Sequence, residues 1–266
     1  MQPSDFNLSL SNININSSIF NFMKKLIVAS VSIYMLFSLF SCNGNSQTII
    51  GQGEIVTDKR NVGTFTGVSL EFSGDVMLKQ SSETAVDVVA QTNIAQEIET
   101  VVENNILHVR FKKRDYTNYK FDKLTVYVNT PTVETISLSG SGNLTALSDI
   151  KSNKLEVGLR GSGNIKLKYI DCTSSIDVHL KGSGNINMKS GTAQSAAYSV
   201  TGSGDIGAEN LKAHTLEAKV TGSGNITCMA TESISAKSTG SGNITYYGHP
   251  AQTMVSSTGS GSITSK

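Results

Sequence analysis

Glu156 and Asp177 stand 21 residues apart, and each lies five residues before a Gly-Ser-Gly-Asn phrase, at Gly161 and at Gly182. Two carboxylates held within a few ångströms of one another are the tools of glycoside hydrolysis. One gives a proton to the leaving oxygen, and the other acts as base or nucleophile. If the phrase marks one place in a repeating coil, the two acids fall on adjacent coils and point outward. Glu217 repeats the same offset, and Arg160, Lys181 and Lys219 share the outward parity. A solvated, charge-balanced face explains this pattern without catalysis. Glu156 and Asp177 therefore carry the alternative function, a carbohydrate-active β-helix enzyme, and the leading reading assigns no catalytic residue.

A second chemistry sits near the N-terminus. Met23-Lys24-Lys25 opens a positive stretch, and Leu26 to Phe40 is an apolar run of fifteen. A spanning helix needs about 20 such residues, whereas a secretory h-region needs fewer. The run closes in Leu39-Phe40-Ser41-Cys42, similar to the lipobox of bacterial lipoproteins, with Leu at −3, a small residue at −1 and Cys at +1. That pattern predicts a diacylglycerol thioether on the Cys42 sulfur, cleavage before Cys42, and acylation of the freed amine. Two or more acyl chains anchor stably where one does not. Residues 1–22 read as sequence upstream of the true start, 23–41 as a lipoprotein signal peptide and 42–50 as a tether. The expected partner is thus the membrane, through Cys42, and the expected location is the cell envelope, on either face of the outer membrane.

Other chemistries find less support. A glycine-rich phrase can cradle phosphate at a helix N-terminus, but here it recurs between strands with no Lys in the P-loop position. Calcium-binding β-rolls need Gly-Gly-x-Gly-x-Asp, and Asp follows the phrase only at Asp205. His108, His179, His214 and His249 fall at unrelated offsets, as do Cys172 and Cys228, so neither a metal site nor a disulfide is expected. No cofactor is expected. The 266 residues carry 22 Lys and Arg against 21 Asp and Glu. From Cys42 onward the two signs balance, without the basic excess of a nucleic-acid binder. Lys112-Lys113-Arg114 reads as a solvated strand end.

The elements that must position these residues come from an internal repeat. GSGN begins at Gly140, Gly161 and Gly182, then GSGD at Gly202, GSGN at Gly222 and Gly240, and GSGS at Gly259. Ser73-Gly74-Asp75-Val76 looks like a degenerate outlying copy. Leu144, Ile165, Ile186, Ile206, Ile226, Ile244 and Ile263 stand at one offset after the corner. Even offsets before it are mostly apolar and odd ones mostly polar, which is the period of a strand. One such unit cannot bury its apolar face, but stacked copies can. Glycine permits the tight bend, and Asn143, Asn164, Asn185, Asn225 and Asn243 are placed to form an amide ladder. Thr201, Thr221, Thr239 and Thr258 should stack likewise.

The chain is therefore expected to be all-β: a parallel β-solenoid of ~20-residue coils over 136–266, preceded by a β-rich N-terminal cap over 51–135. Within the cap, Val68 to Phe72 and Leu124 to Val128 alternate as strands. Ile94 to Val102 is expected to be one short helix, followed by a turn at Glu103-Asn104-Asn105 into a strand from Ile106.

The signal peptide, the Ser-Gly-Asp-Val segment, the Thr130 to Leu144 stretch TPTVETISLSGSGNL and the serial corners together resemble the head GIN domain family of auto-transporter adhesins, common in Bacteroidota. The resemblance covers residues 65–260. It implies a β-helix-like fold and an envelope location, and it brings no functional residues with it. The expected function is that of a lipid-anchored, non-enzymatic envelope protein. It would make adhesive or structural contact with a glycan or envelope protein through the solenoid flank.

Overall fold

In the computed structural model, residues 47–112 and 117–266 are described. Segments 1–22 and 23–41 and the lipidation candidate Cys42 lie outside them, as do Lys113 and Arg114.

The corner explains the winding. At Gly161 φ is +124°, a region that side-chain-bearing residues avoid. Its neighbour Gly163 has no room for a side chain, because a Cβ there would meet the Gly142 carbonyl oxygen of the preceding coil at 2.2 Å. With both glycines in place the coils lie close enough to bond. The Gly140 carbonyl accepts the N–H groups of Ser162 and Gly163 at 3.0 and 3.1 Å. The same pair of bonds recurs from Ser183 and Gly184 to Gly161, and from Ser203 and Gly204 to Gly182.

Between corners the chain is extended. β10 (Thr135–Gly140), β11 (Asn143–Ala146), β12 (Ile150–Gly161), β13 (Asn164–Gly182), β14 (Asn185–Gly202), β15 (Asp205–Gly222), β16 (Ile226–Gly240), β17 (Ile244–Tyr247), β18 (Gln252–Gly259) and β19 (Ile263–Ser265) follow in order. All pair in parallel with the equivalent strand of the next coil. In β13 the buried residues are Ile165, Leu167, Ile170, Cys172, Ile176, Val178 and Leu180. Alternation breaks after Leu167 and again after Cys172, so each coil bends twice more and has three sides. Ile165, Ile186 and Ile206 are register partners on one inner face, all buried. The parallel solenoid read from the repeat is thus the fold.

Inside, side-chain sizes compensate along each column. Val157, Val178, Tyr198, Ala218 and Ala236 are in register, and Tyr198 is fully buried. Its hydroxyl has no hydrogen-bond partner. Where the column Leu159, Leu180, Val200, Val220 changes to Ser238, the buried hydroxyl donates to the Gly242 carbonyl at 2.6 Å. That bond satisfies a polar group which would otherwise cost free energy in the core.

The N-terminal residues build further rungs of the same stack, apart from one two-stranded parallel sheet over 47–50 and 117–120. They form β1 (Gln47–Ile50), β2 (Ile55–Arg60), β3 (Gly67–Glu71), β4 (Asp75–Gln80), β5 (Ala85–Gln91), α1 (Thr92–Glu97), β6 (Ile98–Glu103), β7 (Ile106–Phe111), β8 (Thr117–Lys120) and β9 (Leu124–Thr130). The degenerate corner at Ser73-Gly74 stacks on the one at Gly140, since β3 pairs in parallel with β10 and β4 with β11. Beyond it, β7 pairs in parallel with β3 and β9 with β4. The later stretch 106–130 therefore lies outside the earlier one 67–80. β5 and β6 then run antiparallel to β9 and β7 and cover the end of the stack.

One expectation is corrected. The helix stops at Glu97, and Ile98 to Val102 belong to β6. Ile98, Thr100, Val101 and Val102 are β-branched and favour a strand. Asn104 and Asn105, with φ of +52° and +63°, close the tight hairpin that pairs β6 with β7.

Candidate functional site

One outer flank runs across β10, β12, β13, β14, β15, β16 and β18. Three side-chain columns run along it. Thr135, Glu156, Asp177, Ala197, Glu217, Ser235 and Met254 form the first. The second contains Gly158, His179, Ser199, Lys219 and Lys237, with His179 Nδ1 2.7 Å from Ser199 Oγ. Arg160, Lys181, Thr201, Thr221, Thr239 and Thr258 form the third. The expected threonine stack is present.

Glu156 and Asp177 are direct register partners on adjacent coils, both exposed. They line a recess of about 400 Å³ with Glu134, Thr135, Lys154 and Ser175. A larger groove of about 520 Å³ continues from Asp177 across five coils to Gln252 and Met254. Its inner wall is a column of Ser175, Ser195, Thr215 and Ser233, in register and ending at Gln252. Its rim is the first flank column. The groove lies where the register of β12 and β13 against their neighbours slips near Asn153 and Thr173-Ser174, which turns the chain at that edge. Among the described residues, no aromatic side chain lines either recess. Acids outnumber bases, with Glu134, Glu156, Asp177 and Glu217 against Lys154.

The amide ladder forms at the opposite end of the long strands. Asn143 Nδ2 donates to Asp75 at 2.9 Å, Asn164 to Asn143 at 2.9 Å and Asn185 to Asn164 at 3.1 Å. It resumes above Asp205 through Asn225 and Asn243 to Ser262. Asp75 and Ser262 are its two ends, and the sequence reading named neither as a member.

The remaining reactive groups are placed as follows. Cys172 and Cys228 are buried and free. Loss of solvent pushes each thiol up to about 12, so both remain protonated and unreactive at neutral pH. Among the described residues, no group of three or more His, Cys, Asp or Glu side chains is arranged to hold a metal ion. Tyr198 is buried as its parity implied, whereas Tyr246 is only partly buried against the core.

The Gly-Ser-Gly corners and their flanking strands match one family model over residues 64–250, described as "Putative auto-transporter adhesin, head GIN domain". The chain belongs to the head GIN domain family. A solved "putative adhesin" from Bacteroides fragilis NCTC 9343 is 30% identical, with a TM-score of 0.76 over 82% of this chain and 100% of its own. A "putative lipid binding protein" from Parabacteroides distasonis ATCC 8503 is 25% identical, with a TM-score of 0.68 over 83% of this chain and 100% of its own. A "putative adhesin" from Parabacteroides merdae ATCC 43184, 24% identical, shares the fold at a TM-score of 0.64 over 83% of this chain and 99% of its own. No curated protein is significantly similar to this chain. Head GIN domain membership gives an adhesin-like envelope class, and it names no ligand.

Proposed function

We propose that this head GIN domain protein is held to the outer membrane through a lipidated Cys42. Its solenoid flank then binds an extended glycan or envelope protein without turnover. The groove carries this reading. Ser175, Ser195, Thr215 and Ser233 repeat along its wall at the coil spacing of about 4.8 Å. The strand backbone beneath is already paired in ladders, so recognition falls to side chains. A column of hydroxyls offers successive units of a linear ligand an acceptor at each step, with the Ser195 hydroxyl already donating to the Ser174 carbonyl at 3.4 Å. The acidic rim favours a neutral or cationic ligand over an anionic one. The adhesin names of the relatives support binding as the role.

The runner-up is a glycoside-cleaving enzyme, because Glu156 and Asp177 sit side by side in one recess. An enzyme of that kind needs platforms for sugar rings, and among the described residues neither recess has an aromatic wall.

Residues 47–266 form a compact unit by themselves, so that segment can be assayed against purified glycans and envelope proteins, with polysaccharide hydrolysis measured alongside. Binding without turnover is expected. Turnover that Glu156→Gln and Asp177→Asn abolish would replace this function with the enzymatic one. Mass spectrometry of the mature N-terminus tests the anchor, with a diacylated or triacylated Cys42 peptide expected. An unmodified peptide would remove the anchor and leave the groove to be tested separately.

A further inference from the structure

Each long strand of the solenoid from β12 to β16 is paired on both sides, but among the described residues β18 is paired with β16 alone. All eight residues of β18 are exposed. Val255 continues the inner column of Val178, Tyr198, Ala218 and Ala236, yet it is 50% exposed where Ala236 is 2% exposed. Met254 beside it is 73% exposed. The last coil thus presents unpaired backbone and an unfinished core.

Natural sheets protect such an edge with lysine, proline or a bulge. The eight residues of β18 include none of these and no charged side chain, with Pro250 standing two residues before the strand and Lys266 following β19. Its neighbour β16, by contrast, carries Glu232 and Lys237. The opposite end of the stack is closed by antiparallel strands, with β6 beside β7 and β5 between β9 and β2. An uncharged edge can meet its own copy without like-charge repulsion, which a charged edge cannot.

We propose that the last coil is a dimer interface, in which β18 pairs antiparallel with β18 of a second copy across a two-fold axis. Such an interface is self-complementary and closed, so it stops at two copies. Inner faces must meet inner faces, which centres the pairing on an inward residue. Centred on Val255, the pairing sets Val255 against its own symmetry mate and Thr253 of one copy against Ser257 of the other. The two cores become continuous, and each dimer carries two grooves.

Sedimentation equilibrium of residues 47–266, whose solved relatives are matched over their whole length, tests this. The expected species has twice the chain mass. Val255→Lys, which places two ammonium groups on the axis, should give a monomer with unchanged circular dichroism, whereas Thr57→Lys at the covered end should stay dimeric. Val255→Cys should form a disulfide-linked dimer under mild oxidation, because opposed Cβ atoms lie about 4.5–5.5 Å apart. This second readout keeps the proposal testable if Val255→Lys fails to fold. A monomeric wild-type chain at every concentration, a dimer that survives Val255→Lys, or no cross-link from Val255→Cys would overturn the proposal. The first result would leave the edge to a strand from another protein.

Discussion

Asp205 accepts two hydrogen bonds from Asn225, one from its backbone N–H and one from its side-chain amide, both at 2.8 Å. Below, it gives Asn185 only its own backbone N–H, at 3.3 Å. A carboxylate has no donor to continue the amide ladder, so the corner changes its bonding there. Up to Asn185 the backbone N–H at this offset reaches a glycine carbonyl, as from Asn164 to Gly142 and from Asn185 to Gly163. From Asp205 onward it reaches the side-chain oxygen of the preceding coil, as from Asn243 to Asn225 at 3.1 Å.

The ladder predicts unequal losses along its length. The Asn225 side chain takes part in three bonds, one to Asp205 and two from Asn243. Asn164 takes part in two. Both Asn→Ala variants should lower the free energy of unfolding, by about 1–2 kcal/mol, with Asn225→Ala the larger loss in denaturant unfolding. Equal stability of both variants with wild type would show that the ladder contributes nothing.

The corner glycines should be far less tolerant than the serine between them. A Cβ at Gly163 would meet the Gly142 carbonyl at 2.2 Å and the Leu138 side chain at 3.0 Å. Gly163→Ala must separate two coils, and a loss of roughly 3 kcal/mol or more is expected. Ser162 is exposed and contributes its backbone N–H, so Ser162→Ala should stay within about 0.5 kcal/mol of wild type. Thermal unfolding of the two variants makes the comparison.

Tyr198 offers the opposite case. Its hydroxyl is buried without a partner, a state that costs about 1–3 kcal/mol in proteins. Tyr198→Phe keeps the ring and removes that cost, so its unfolding midpoint should equal or exceed that of wild type. Tyr198→Ala leaves a cavity among small neighbours and should cost about 3–5 kcal/mol. A Tyr198→Phe variant as unstable as Tyr198→Ala would mean that the hydroxyl is bonded.

Alkaline pH should weaken the fold through the two thiols. Burial raises Cys172 and Cys228 from 9.0 to about 12. Between those values the folded chain holds protons that the unfolded chain has released, so stability falls as pH rises. The contribution is fully present below about pH 9. Unfolding midpoints measured from pH 8 upward should decline more steeply in wild type than in a Cys172→Ala, Cys228→Ala double variant, once each is referred to its own neutral value. Parallel declines would contradict this.

Much of the molecule was legible in the sequence because the repeat sets the same chemistry at the same offset in each coil. Ile165, Ile186 and Ile206 announce an inner column, and Asn143, Asn164 and Asn185 announce a ladder, without any knowledge of the turn between them. The groove was less visible. Its hydroxyl column stands seven residues before each corner, at Ser175, Ser195, Thr215 and Ser233, but the recess depends on a register slip near Ser174 that no single residue encodes. The stacking of 106–130 outside 67–80 was also hidden. Strand pairing between distant segments decides it, and the local alternation of Val68 to Phe72 is the same in either order. At Ile98 a helical reading lost to β-branched residues with a hairpin partner.

The groove between the Ser175 column and the Glu156 column is where a ligand should bind. Ala197→Arg and Thr215→Arg each fill the groove from an outward position, while Lys166→Ala alters a different side of the coil. With a glycan or envelope protein captured by residues 47–266, titration calorimetry should show binding lost in both groove variants, kept in Lys166→Ala, and no product released. Undiminished binding by the groove variants, or product formation that depends on Glu156 and Asp177, would contradict the account.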